Sequence, residues 1–120
     1  MSTDAPPPFR CDVFPERDRV RVAPVGELDQ AVVPEVMSAI RELRQSGFDH
    51  LIIDLQDVSF IDSTGLKLVL NLHTTSGAEG FRLELLPGPP NVQRVFELTA
   101  TLEHLPFRTR VPVRPQAEQP

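Results

Sequence analysis

The chain has 120 residues, of which 40% are hydrophobic and 24% are charged, and its formal net charge is -5. This length fits one domain, and the composition is sufficient for a hydrophobic core that needs neither disulfides nor metal. The acidic balance excludes nucleic acid as an expected partner, because proteins that bind it neutralise phosphates with clustered basic side chains.

The cellular context is indicated by the single cysteine and by the N-terminus. Cys11 has no second thiol to pair with, which fits a reducing compartment. The N-terminal residues have neither the basic start nor the apolar stretch of a signal peptide, and no segment approaches the roughly 20 apolar residues of a membrane span. We therefore expect a cytoplasmic protein with no membrane partner.

The domain boundaries follow from the distribution of 13 prolines. They concentrate at the two ends of the chain and around residues 87–90. Residues 1–8 and the Pro-rich residues 112–120 have too few apolar groups to offset the entropy of ordering, so we expect flexible ends there. Residues 9–111 then form the folded domain.

Hydrophobic periodicity predicts seven elements and one long connector between them. Alternation of apolar and polar residues indicates strands, and a spacing of three to four indicates helices. In chain order these are strands over 9–14 and 19–25, a helix from 30 to the stop at 46–47, a strand over 51–55, a connector over 56–62, a helix ending near 77–80, a strand over 81–85 and a short helix around 92–96.

This order predicts an α/β fold. The strand at 51–55 is apolar apart from Asp54, which suits a central parallel strand covered on both faces. Two helical crossovers linking parallel strands imply a mixed sheet of about four strands, with the helices packed mainly on it. The first two strands form an N-terminal hairpin that closes one side.

The most unusual local feature is Asp62-Ser63-Thr64-Gly65, where a buried strand leads into a helix. Unpaired N–H groups and the positive dipole at a helix start can hold a hydroxyl, a phosphate or an acidic side chain. Gly65 allows another backbone to approach closely. Local spacing alone favours the simpler interpretation that Asp62 or Ser63 is an N-cap.

A second candidate is Gly26-Glu27-Leu28-Asp29, between the second strand and the first helix. Taken locally, it is typical of a turn followed by an Asp cap. In a sheet of parallel strands, however, both helix N-termini can lie at the same edge. Asp29 is then expected near Ser63, and the two segments form one site.

Neither metal chemistry nor catalysis is indicated. His50, His73 and His104 lie in different elements, with no carboxylate or thiol at ligand spacing, so we expect no metal and no cofactor. A serine-hydrolase elbow needs a glycine two residues before the nucleophile, where Ile61 precedes Ser63. Walker-type loops and dinucleotide fingerprints are also missing from the sequence. The sequence therefore predicts a protein that is not an enzyme.

Three segments in this order resemble the STAS-domain family, and specifically its bacterial anti-sigma factor antagonists. They are Gly26 to Asp29, Val58 to Leu66 and Val92 to Thr99, and the resemblance covers about residues 9–107. It implies that an anti-sigma factor serine kinase phosphorylates Ser63 and that a phosphatase acts on the phosphorylated form. It also implies that the unphosphorylated form binds the anti-sigma factor and frees the sigma factor.

By the same resemblance, the partner-binding surface comprises Gly26, Glu27, Leu28, Asp29, Asp62, Thr64, Gly65 and Lys67. Lys67 departs from the family, since many members have a small residue there, and it can select a different partner. Relatives usually end with another helix, whereas here the proline-containing tail after Leu105 cannot propagate one, which leaves apolar surface for a partner.

Two other functions compete with this interpretation. One is a STAS scaffold or sensory binding module that is never phosphorylated. The other is an enzyme with Ser63 as nucleophile, which ranks last because only acidic side chains are available nearby as a base.

Overall fold

The structure is a computed structural model that describes residues 8–108. In chain order its elements are β1 (Arg10–Pro15), β2 (Val20–Leu28), α1 (Val33–Gln45), β3 (His50–Asp54), β4 (Val58–Ile61), α2 (Ser63–Glu79), β5 (Arg82–Leu86), α3 (Pro90–Leu98) and a 3₁₀ helix (Leu102–His104). The flexible ends predicted for residues 1–8 and 112–120 lie outside the described residues, apart from Pro8, so the predicted domain limits stay predictions.

The strands form one mixed sheet in the order β1-β2-β3-β5. β1 and β2 form an antiparallel hairpin, and β3 runs parallel to both β2 and β5. β4 pairs in parallel with the last residues of β2, beyond the part that pairs with β3. The predicted α/β class, with its N-terminal hairpin and mixed sheet, is confirmed.

β4 lies within the segment predicted as a connector, so the sheet has five strands rather than about four. Gly26 pairs with Val58 and Glu27 pairs with Phe60, which leaves Ser59 as the extra residue of a β-bulge. Gly26 adopts a φ of +114°, which favours glycine at this irregularity. The bulge breaks the apolar alternation, and without alternation a four-residue strand carries no signal in the sequence.

The core lies between the three helices and one face of the sheet. Their buried apolar side chains join Leu51 and Ile53 of β3 in a single cluster. The contributing helix residues are Val36 and Ile40 of α1, Leu68, Val69 and Leu72 of α2, and Val92 and Phe96 of α3. One shared cluster holds the helices against the strands whose ends carry the site.

β3 is buried on its other face as well, as the sequence analysis predicts. Ile52 and Asp54 point away from the helices, because successive strand residues alternate, and both are buried. Asp54 Oδ2 accepts a hydrogen bond from Arg21 Nη1 at 3.0 Å, and the Arg21 guanidinium lies 4.2 Å above the Phe14 ring centroid. The acidic residue in the apolar run is therefore neutralised by a neighbouring strand.

After α3 the chain returns to β5. Phe107 forms an isolated parallel bridge with Leu85, and its ring meets that of Phe96 edge-on at 5.1 Å between centroids. Within the described residues this segment contains a 3₁₀ turn and no longer helix. Phe107 of this segment therefore packs on Phe96 of α3.

Candidate functional site

Asp62 organises the junction between β4 and α2. It is the N-cap of α2, and its Oδ1 accepts a hydrogen bond from the Gly65 backbone N–H at 2.8 Å. Its Oδ2 accepts one from the Gln30 N–H at 3.1 Å, and its own N–H donates to the Leu28 carbonyl at 3.3 Å. A single carboxylate thus caps one helix and holds the loop that leads into another.

The start of α2 approaches the end of β2 so closely that a side chain at Gly65 has no room. A Cβ there would lie 2.4 Å from the Leu28 carbonyl oxygen and 2.8 Å from Ile61 Cγ1. The two candidate segments are therefore in direct contact through their backbones, and their action as one site stays a prediction.

Asp29 has a different local role from the predicted helix cap. Its Oδ1 accepts a hydrogen bond from the Ala31 N–H at 3.0 Å, which closes a turn ahead of α1. The N-cap of α1 is Val32, without a side-chain hydrogen bond. Gln30, rather than Asp29, donates the hydrogen bond that links this loop to the start of α2.

Ser63 is the first residue of α2, and its side chain is exposed. Across residues 8–108 its hydroxyl makes no hydrogen bond. The neighbouring Thr64 is half-buried. Ser59 is exposed as well, but it lies on the bulge of β4, not at the helix start.

The predicted partner-binding residues differ in accessibility. Glu27 and Lys67 are exposed, and the half-buried members are Gly26, Asp29, Asp62 and Thr64. Leu28 and Gly65 are buried, and contact of any of these residues with a partner stays a prediction. Their packing holds the two segments together.

Phe60 of β4, which the sequence analysis does not single out, lies in the strand that leads into this junction. It is 48% exposed on β4, and its Cα partner in β2 is Glu27. Its signal in the sequence is weak, because the bulge at Ser59 breaks the alternation that would assign Phe60 to the surface.

A cavity of about 350 Å³ opens beside the end of β2. Its walls are mainly apolar, with Phe9, Val25 and Val32 on one side and the acidic Glu27 and Asp29 among the other lining residues. The site therefore combines the exposed Glu27 and the half-buried Asp29 with nearby apolar surface.

The other titratable groups do not converge on this site. No group of three or more His, Cys, Asp or Glu in the part of the chain described is placed to hold a metal ion. Burial, with the charges of Glu35 and Asp12, raises the pKa of Cys11 to about 11, so it is a protonated thiol at neutral pH. Among residues 8–108, no helix has the length and apolarity to cross a membrane.

The fold and this junction identify the class of protein. The STAS domain family matches residues 13–113, and this chain belongs to that family. Relatives include the anti-sigma-B factor antagonist of Staphylococcus aureus, which is 34% identical over 74 residues, covering 62% of this chain and 68% of the relative.

Solved structures give the same result. The crystal structure of an anti-sigma factor antagonist from Mycobacterium paratuberculosis superposes with a TM-score of 0.76 at 25% identity, covering 88% of this chain and 90% of that chain. The anti-sigma factor antagonist SpoIIAA in its unphosphorylated form gives 0.67 at 27%, covering 86% and 90%. Bacillus SpoIIAA in the phosphorylated form gives 0.62 at 26%, covering 86% and 93%.

Proposed function

We propose that this chain is an anti-sigma factor antagonist whose binding is controlled by phosphorylation of Ser63. Unphosphorylated, it binds an anti-sigma factor that is also a serine kinase, and it thereby frees a sigma factor in the cytoplasm. A phosphatase returns the phosphorylated form to the binding state. The antagonist role is supported by the S. aureus relative, and the phosphorylation step by SpoIIAA, whose structure exists in both forms.

The observation that carries the proposal is the exposed Ser63 at the start of α2, whose hydroxyl makes no hydrogen bond to the described part of the chain. In the proposed step, Ser63 Oγ attacks the γ-phosphorus of ATP. A new O–P bond forms, the bond to the β-phosphate oxygen breaks, ADP leaves, and the hydroxyl proton passes to a base of the kinase. No hydrogen bond within residues 8–108 has to break for Ser63 to react.

The phosphate is expected to change the surface rather than the fold. It adds about -1.5 to -2 charges at pH 7, and the N–H groups and dipole at the start of α2 stabilise an anion there. Lys67 lies one turn further along the same helix face and can partly offset the charge. The phosphate lowers the affinity of the complex, because a partner surface that fits a neutral hydroxyl must desolvate the new charge.

Intact mass after incubation with ATP and each candidate anti-sigma kinase of the same genome tests the phosphorylation step. The wild-type chain should gain one phosphate and Ser63→Ala none. Ser59→Ala and Thr64→Ala are matched controls that should still gain it. Peptide mapping that finds the phosphate on another residue would overturn the assignment of Ser63.

Binding of the anti-sigma factor tests the switch itself. Ser63→Ala should bind like the wild type, whereas Ser63→Glu should bind more weakly, mainly through faster dissociation. If no kinase modifies the chain and Ser63→Glu binds as well as the wild type, the chain is instead a STAS scaffold or sensory module that is not phosphorylated.

Backbone NMR shifts of the two forms test whether the fold changes. Changes confined to the neighbourhood of Ser63 and of the Gly26 to Asp29 segment support local electrostatics. Changes that spread through β3 and α3 would instead mean a conformational switch.

A further inference from the structure

Exposed large hydrophobic side chains are few in the described chain. They are Val13 and Phe14 on β1, Leu98 at the end of α3, and Phe60 on β4. Single exposed apolar residues are common on protein surfaces, so exposure alone carries no argument. The position of Phe60, and the way the strand turns it outward, distinguish it from the other three.

The β-bulge aims Phe60 at solvent. Val58 and Ile61 at the two ends of β4 are buried, and regular alternation after Val58 would direct Phe60 towards the core. The extra residue Ser59 shifts the register, so that Phe60 pairs with the exposed Glu27 and Ile61 pairs with the buried Leu28. Bulges commonly re-aim a side chain in this way beside functional sites.

A second contact stabilises the bulge. Asn91 Nδ2, at the start of α3, donates a hydrogen bond to the Ser59 carbonyl at 2.8 Å. This hydrogen bond from α3 thus compensates for the interrupted pairing between β2 and β4. The outward direction of Phe60 is built into the fold.

Phe60 also lies close to Ser63. Only two residues lie between them in the sequence, so three Cα–Cα steps join them and their Cα atoms are at most about 11 Å apart. A standard interface of about 800 Å² per partner corresponds to a disc of about 16 Å radius. An interface of this size centred on Ser63 therefore extends as far as Phe60.

We propose that Phe60 is the apolar anchor that holds the anti-sigma factor, seated in an apolar recess beside the partner's kinase site. This inference rests on the proposed function and specifies its contact. An aromatic side chain buries about 150–250 Å², and such residues dominate the energetics of many interfaces. Water is excluded around such an anchor, so a phosphate on the nearby Ser63 must be desolvated, and binding weakens.

Affinity for the anti-sigma kinase, measured with the purified partner by calorimetry, tests the anchor. Phe60→Ala should weaken binding of the unphosphorylated chain by about tenfold or more. Phe14→Ala and Leu98→Ala, which also remove exposed apolar side chains, should remain within about twofold of the wild type. The anchor is overturned if Phe60→Ala binds within twofold of the wild type, or if both controls weaken binding as much.

Phe60→Leu distinguishes loss of the apolar contact from loss of folding. It keeps an apolar side chain at the surface and should recover part of the affinity, with thermal unfolding unchanged. If Phe60→Leu and Phe60→Ala bind equally weakly while Phe60→Gln binds like the wild type, an apolar recess is not the contact.

A double-mutant cycle tests the link to the switch. The weakening caused by Ser63→Glu should be several-fold smaller in the Phe60→Ala background than in the wild type. Equal weakening in both backgrounds would overturn the desolvation link. A wild-type chain that neither binds an anti-sigma factor nor gains phosphate refutes the proposed function, whereas wild-type binding that is unaffected by Phe60→Ala refutes the anchor alone.

Discussion

Two strand-to-helix junctions, β4 to α2 and β5 to α3, both contain a closely packed glycine but differ in their helix caps and in the groups that they expose. In each, the glycine packs against a backbone carbonyl oxygen of another segment. A Cβ at Gly65 would lie 2.4 Å from the Leu28 oxygen, and a Cβ at Gly88 would lie 2.9 Å from the Leu55 oxygen. In both places a helix start packs closely against the end of another segment.

The junctions differ in their caps and in what they expose. Asp62 caps α2 with its side chain, whereas α3 has Pro89 as N-cap, without a side-chain hydrogen bond. Gln93 Oε1 instead accepts a hydrogen bond from the Gly88 N–H at 2.8 Å. Only the first junction presents a serine hydroxyl as the first helical residue. A helix N-terminus becomes a candidate switch when a rigid frame holds a modifiable group at the surface.

The largest difference is expected from alanine at the two glycines. Gly65→Ala should lower the free energy of unfolding by about 3 kcal/mol, since backbone and the buried Ile61 side chain meet the new methyl group. Gly88→Ala should cost about 1–2 kcal/mol, because its contacts are less close. Urea unfolding measures both, and equal losses would contradict the comparison.

Gly77→Ala is the control for the general effect of replacing glycine. It lies inside α2 with nothing within 4 Å of its added Cβ. It should stabilise the chain by about 0.5–1 kcal/mol through the lower entropy of the unfolded state.

Removing one polar side chain from each junction should give the next largest difference. Asp62→Ala loses the cap of α2 and the bond to Gln30, and should cost about 2 kcal/mol. Gln93→Ala loses the hydrogen bond from the Gly88 N–H and should cost about 0.5–1 kcal/mol. Thermal or urea unfolding checks the order, and the reverse order would mean that the second junction is the more tightly fixed.

Low pH should weaken the hydrogen bonds that Glu84 accepts on β5, the strand that leads into the second junction. Burial alone would raise the pKa of Glu84, but hydrogen bonds from Arg108 and His50, with the charges of Arg108 and Arg82, outweigh it and lower the pKa. The carboxylate therefore stabilises the fold above its ordinary pKa of 4.5, and this contribution is lost as the pH falls through the lower folded value. Glu84→Gln should flatten the fall in stability below about pH 4.5, and an unchanged profile would contradict the link.

The smallest effect on stability is expected at Ser63. Ser63→Ala removes a hydroxyl that makes no hydrogen bond in the described chain, so unfolding should change by less than about 0.5 kcal/mol. A loss above about 1 kcal/mol would mean that Ser63 acts as a cap besides Asp62.

Local patterns were enough for most of the helices and strands. Pro34 lies in the first turn of α1, and α2 ends at Gly80 with a left-handed φ of +76°, as the start and stop signals predict. The apolar stripes of the helices face the core. These features depend on the spacing of residues within one segment, which the sequence displays directly.

The candidate site could be predicted only in part. The sequence identified Ser63 and both segments around it, and parallel-strand topology explained why they should meet. It could not show that Leu28 and Gly65 are buried between them, because burial there depends on how β2 packs against α2.

The sequence by itself thus determined which segments form helices and most strands, and which residues lie at the start of α2. Tertiary structure decided the features that need distant partners. β4 exists through pairing with β2, Asp54 is tolerated in the core through Arg21, and Phe60 faces solvent through the bulge at Ser59. The physical reason is that strand pairing and buried ion pairs join residues far apart in the chain, and no local pattern records them.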